Sequence, residues 1–93
     1  MKLVRTDRFK SELAEILIHV AKDSPNSARN FKNALRKSLE NIPNMPYKCR
    51  QSLKSNDENI RDLIYQGYVV PYRITDNTIE VIGIFSQNNW EIS

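Results

Sequence analysis

Lys48, Arg50 and Lys54 fall close together in a polar stretch of the chain, and Arg61 and Arg73 follow among three tyrosines, Tyr65, Tyr68 and Tyr72. Cations of this kind hold phosphate oxygens, and tyrosine rings stack on unpaired bases. Lys48, Arg50 and Lys54 are therefore the candidate nucleic-acid contacts. Cleaving RNA through its 2′-hydroxyl asks for more: a base, an acid for the leaving oxygen, and cations beside the phosphorane. The candidates for that set are Arg61, Arg73, Tyr68, Tyr72 and Lys48. Each has a plainer role open to it. Tyr72 can pack against a helix, Arg73 can pair with Asp62 or Glu80 across a sheet, and the loop cations can simply be solvated.

The single histidine, His19, sits between Ile18 and Val20 in a helical segment and reads as a surface or packing residue. The single Cys49 lies in a polar stretch, whereas a catalytic thiol needs a histidine and an orienting group beside it. One Cys and one His cannot build a zinc cage. With 2 glycines, a glycine-rich phosphate loop is largely excluded. No metal or cofactor is expected. No apolar run approaches the ~20 residues that span a membrane, and Lys2 and Arg5 interrupt any signal-peptide core. Together with a lone thiol, these features predict a cytoplasmic protein with no membrane partner.

The charge is uneven. Residues 1–54 carry 12 Lys/Arg against 5 Asp/Glu, a net +7, and residues 55–93 carry 2 against 6, a net −4. A basic front half suits a nucleic acid or an acidic protein partner, although two amphipathic helices also need solvating charge.

Local patterns say what positions these residues. Leu3 and Val4 read as a short strand. Thr6 can cap a helix of residues 7–22, with Asp7 in its first turn and Phe9, Leu13, Ile16, Leu17 and Val20 as its apolar stripe. Ser24-Pro25 starts a second helix, whose stripe runs from Ala28 through Phe31, Leu35 and Leu39 to Ile42 before Pro43 stops it. The short link predicts an antiparallel helical hairpin. Residues 43–59 read as one long polar connection. The period then becomes two: strands at Ile60–Tyr65, Tyr68–Thr75 and Thr78–Ser86, turns at Gln66-Gly67 and Asp76-Asn77, and a polar tail from Gln87. Pro71 predicts a bulge or unpaired position in the middle strand. At 93 residues the chain reads as one α+β domain over 1–93, a helical hairpin on one face of a twisted antiparallel sheet, in the order β-α-α-β-β-β.

The stretch Asn59-Ile60-Arg61-Asp62-Leu63-Ile64-Tyr65-Gln66-Gly67-Tyr68-Val69-Val70-Pro71-Tyr72-Arg73-Ile74 resembles the central meander of RelE/ParE-type toxins of type II toxin–antitoxin pairs. Ile79-Glu80-Val81-Ile82-Gly83-Ile84-Phe85 resembles the last strand of that family, and Asn44-Met45-Pro46-Tyr47-Lys48-Cys49-Arg50 its proline-containing connection. The resemblance implies a growth-inhibiting toxin, of the plasmid-stabilisation kind, neutralised by a cognate antitoxin that would carry the pair to operator DNA. RelE-like members cut messenger RNA on the ribosome. ParE-like members block DNA gyrase by binding.

The residues lean toward binding. Val69 stands where the nuclease members have an arginine, and the last strand ends in Ser86-Gln87-Asn88-Asn89, without an acid or base that titrates near neutrality. The expectation is a ParE-like toxin of DNA gyrase, with Arg61, Arg73, Gln87, Asn88 and Trp90 as candidate target contacts. The alternatives are a ribosome-dependent endoribonuclease and an inactive module that keeps only antitoxin binding.

Overall fold

The computed structural model describes residues 1–87. Its elements are β1 (Lys2–Arg5), α1 (Asp7–Asp23), α2 (Pro25–Asn41), a 3₁₀ turn (Ile42–Asn44), β2 (Arg50–Gln51), β3 (Ile60–Tyr65), β4 (Tyr68–Ile74), β5 (Thr78–Val81) and β6 (Phe85–Ser86).

The helices begin where their caps stand. The Thr6 hydroxyl accepts the Phe9 N–H at 3.1 Å. Ser24 is the whole link between the helices and serves both. Its N–H donates to the Val20 carbonyl at 3.1 Å, closing α1, while its Oγ accepts the Ser27 N–H at 3.1 Å, opening α2. Such caps contribute roughly 0.5–2 kcal/mol each.

The sheet order is β1-β5-β4-β3-β2, with β6 also paired to β4. It is mixed, which corrects the all-antiparallel expectation: β1 and β5 run parallel, Lys2 opposite Thr78 and Arg5 opposite Val81. The helical hairpin is the cause. Two antiparallel helices cancel each other's travel, so the chain leaves α2 at the end of the sheet where β1 finished. Residues 43–59 must bring it back, and β2 is part of that return, pairing antiparallel with β3. After β3 and β4, strand β5 again runs in the direction of β1.

Gln66 (φ 46°) and Gly67 (φ 85°) join β3 to β4. Two positive φ values match the right-handed twist of the flanking strands. The long final strand expected over Thr78–Ser86 is instead broken, with β5 ending at Val81 and β6 starting at Phe85. Pro71 and Gly83 explain the break. Ile74 donates its N–H to Asn59 on the β3 side, so strand alternation aims the donorless nitrogen of Pro71 at β5 and β6. The ladder lapses there. The Ile82 N–H still reaches the Pro71 carbonyl at 2.9 Å, but the Ile84 N–H goes to Glu12 Oε1 at 3.1 Å.

The core lies between the helices and one sheet face. Phe9, Phe31, Leu35 and Leu39 meet Val70, Tyr72, Ile79 and Val81. Phe31 makes edge contacts with Tyr65 and Tyr68, ring centroids 5.2 and 5.5 Å away, an arrangement worth about 0.5–1.5 kcal/mol per pair beyond burial. The other sheet face carries Asp62, Ile64, Arg73 and Glu80.

Candidate functional site

A cleft of about 590 Å³ opens between the pleat, the strap of residues 52–55 and the start of α1. Its floor is Ile60, Pro71 and Phe85. Its charges are Arg73, Lys54, Arg8 and Glu12. Register brings Arg73 opposite both Ile60 and Glu80, and Arg73 Nη1 meets Glu80 Oε1 at 2.8 Å. Of the two partners open to Arg73 in the sequence, Glu80 holds it. The Lys54 ammonium lies 4.4 Å from the centroid of the Phe85 ring, a cation–π contact that contributes about 0.5–1 kcal/mol at an exposed site. Ser52 is buried, its N–H on the Ile60 carbonyl at 2.8 Å, and so ties the strap to the sheet.

Arg8 and Glu12 entered no sequence expectation as site residues. They pair at 3.4 Å, one helical turn apart. Glu12 also anchors the strand break through Ile84, and a Cβ at Gly83 would fall 2.5 Å from its Oε1. Any larger residue there would require the Glu12 side chain to shift. The i, i+4 spacing of Arg8 and Glu12 was legible, but it marks any solvated helix.

The other candidates lie elsewhere. Arg61 staples the connection: Nε donates to the Glu58 carbonyl at 2.9 Å and Nη1 to the Cys49 carbonyl at 3.2 Å, and the guanidinium lies over the Tyr47 ring at 4.9 Å. Arg50 takes Asp62, at 3.5 Å. That carboxylate is buried, and its Oδ1 has no hydrogen-bond partner. Lys48 is exposed on the rim of a separate cavity with Cys49 and Met45.

Tyr72 is removed from the candidates for stacking or proton transfer. It has no exposure, and its hydroxyl donates to the Pro46 carbonyl at 2.7 Å. Burial, with the neighbouring Cys49, drives its phenol far above the ordinary range. Tyr68 faces the helices, against Phe31, on the far side of the sheet from Arg73. The Gln87 N–H donates to the Gly67 carbonyl at 2.9 Å. Asn88 and Trp90 lie outside the described residues.

The cleft is thus a polar recess with an apolar floor, whose arginines are each matched by a carboxylate. His19 is exposed on α1 and does not line it. Among the described residues no three His, Cys, Asp or Glu side chains gather as metal ligands, and no helix is long and apolar enough to cross a membrane.

A helical hairpin on a mixed sheet, with a charged recess beside the strand break, defines a small α+β domain. The family model described as ParE toxin of type II toxin–antitoxin system, parDE, matches residues 3–89, and the chain belongs to that family. The fold is similar to a solved chain of the chromosomal ParDE toxin–antitoxin system from P. aeruginosa, with a TM-score of 0.76 at 18% identity, over 92% of this chain and 95% of that one. No curated protein matches the chain in sequence.

Proposed function

We propose that this toxin works in the cytoplasm by binding rather than by cutting, that its target is DNA gyrase, and that a cognate antitoxin neutralises it. One observation carries the choice. The cleft that holds the candidate arginine Arg73 pairs its arginines with carboxylates, Arg73 with Glu80 and Arg8 with Glu12, and sets no imidazole beside them. Phosphoryl chemistry is favoured by uncompensated positive charge and by a group that exchanges protons near neutrality. Protein recognition is served well by a recess of mixed charge around an apolar floor.

The test is direct. Expression without a partner should arrest growth, and the purified chain should inhibit gyrase supercoiling. Undisturbed supercoiling together with cleavage of ribosome-bound message would reverse the choice in favour of the endoribonuclease. That second reading draws on Arg73 and Lys54 lining one cleft. Normal growth on expression would leave only an antitoxin-binding module.

A further inference from the structure

A second cavity, of about 620 Å³, opens between the end of α2, the connection that follows it and residues 62–64 of β3. Asp62 stands in its wall. The Asp62 side chain is 3% exposed, and its Oδ1 has no hydrogen-bond partner. Arg50 Nη2 lies 3.5 Å from Oδ2, well beyond the roughly 2.7–2.9 Å of a charge-assisted bond. A buried carboxylate met this poorly is an acceptor in want of donors.

The rest of the lining narrows what can bring them. Lys48 and Arg50 set two cations beside that single carboxylate. Lys48 is exposed and in no ion pair among the described residues. A purely cationic ligand would meet net repulsion, so the donors must come on a body that also carries negative charge. Met45 and Ile64, 62% and 42% exposed, add apolar wall, a surface on which a flat ring can lie. The volume falls within the roughly 300–1,000 Å³ that holds a small organic ligand.

We infer that this cavity takes a guanine nucleotide. Among the bases guanine presents two adjacent donors, N1–H and the N2 amine, that match the two oxygens of one carboxylate. Oδ1 is open to one of them. Arg50 frees Oδ2 by turning to the phosphate, for which Lys48 is the second cation. Asn41 and Asn44 line the same cavity and supply amide donors for O6 and N7. The inference gives a role to two cations of the connection that the Arg73 cleft leaves unused, and it stands whatever the target of the toxin.

Isothermal titration of the purified chain tests it with GMP, AMP, IMP, guanosine and inorganic phosphate. GMP should bind at least roughly tenfold tighter than AMP, or than IMP, which lacks the N2 amine. Lys48→Ala should weaken GMP about tenfold and leave guanosine unchanged. Asp62→Asn presents one acceptor and one donor, so it should prefer XMP, whose C2 carbonyl replaces the amine, over GMP. Circular dichroism checks that the variants fold. If Asp62→Asn does not fold, the base series and Lys48→Ala decide alone. A single-stranded RNA of about six nucleotides with a 5′-phosphorylated G separates the two sources of the ligand: tighter binding than GMP assigns the site to a strand end, equal or weaker binding to free nucleotide. Equal binding of GMP, AMP and IMP, phosphate alone binding as well as GMP, no saturation by about 1 mM, or a folded Asp62→Asn that keeps its preference for GMP would each overturn the inference.

Discussion

The Tyr72 hydroxyl reaches across the fold to the Pro46 carbonyl, 2.7 Å away, and so fastens the middle of β4 to the connection that leaves α2. The donor belongs to a fully buried ring. A residue that looked available for stacking or proton transfer is therefore a strut, and it holds the segment through which the chain returns to begin β3.

Tyr72→Phe should keep the ring packing and lose the strut. A hydrogen bond of this kind contributes about 1 kcal/mol net, and the Pro46 carbonyl is left without its donor. Urea denaturation should show a loss of roughly 1–2 kcal/mol, with faster amide exchange along residues 45–49. An unchanged midpoint would mean that water replaces the hydroxyl at no cost.

The same phenol predicts an alkaline response. Burial first, then the hydrogen bond and charge of Cys49, raise it above its unfolded value of about 10. A folded-state pKa above the unfolded one means that the folded chain keeps a proton the unfolded chain releases. Its contribution is whole below pH of about 10 and declines as pH rises beyond it, by at most about 1.4 kcal/mol per pH unit. Stability measured from pH of about 9 to 12 should fall more gently in Tyr72→Phe than in the parent. Equal slopes would assign the decline to other groups.

At the strand break, Gly83 and Glu12 should behave as one unit. Gly83→Ala pushes a methyl against Glu12 Oε1, which must swing away and release the Ile84 N–H. Each single substitution, Gly83→Ala or Glu12→Ala, should cost about 1–2 kcal/mol. The double variant should cost clearly less than their sum, because the second change meets no carboxylate. Simple additivity in thermal melts would count against a shared contact.

Arg50 and Asp62 are unequal partners, with side chains 39% and 3% exposed. Arg50→Ala leaves a buried carboxylate uncompensated, at a cost of roughly 1–3 kcal/mol. Asp62→Asn removes the buried charge and leaves a partly exposed arginine, and should cost less. The reverse order of midpoints would show that the ion pair is not what matters at this strand edge.

Arg73 and Glu80 form an exposed pair, so Arg73→Ala should cost below about 1 kcal/mol and move the melting temperature by a few degrees at most. Its effect on the proposed gyrase inhibition then reports on binding, with an expected drop of at least roughly tenfold. Full inhibition by Arg73→Ala would take the cleft out of target recognition.

Much of this chain is legible one residue at a time. Thr6, Ser24-Pro25 and Pro43 mark where the helices start and stop because caps and missing N–H groups act within one turn of chain. Gln66-Gly67 marks the tight turn because its two positive φ values are a local demand, and the change from helical to alternating spacing marks the strands. Arg73 and Glu80 face each other across a short hairpin, within the reach of pattern reasoning. What local pattern could not decide was everything that joins distant segments. The parallel seat of β1 beside β5, the lapse of the last strand at Pro71 and Gly83, the entry of Arg8 and Glu12 into the cleft, and the capture of Tyr72 by Pro46 each depend on residues brought together only when the hairpin settles on the sheet. Local propensity chooses among conformations of neighbouring residues. The register of β1 against β5 and the burial of Tyr72 are chosen by how two apolar faces fit, and that fit exists only in the folded chain.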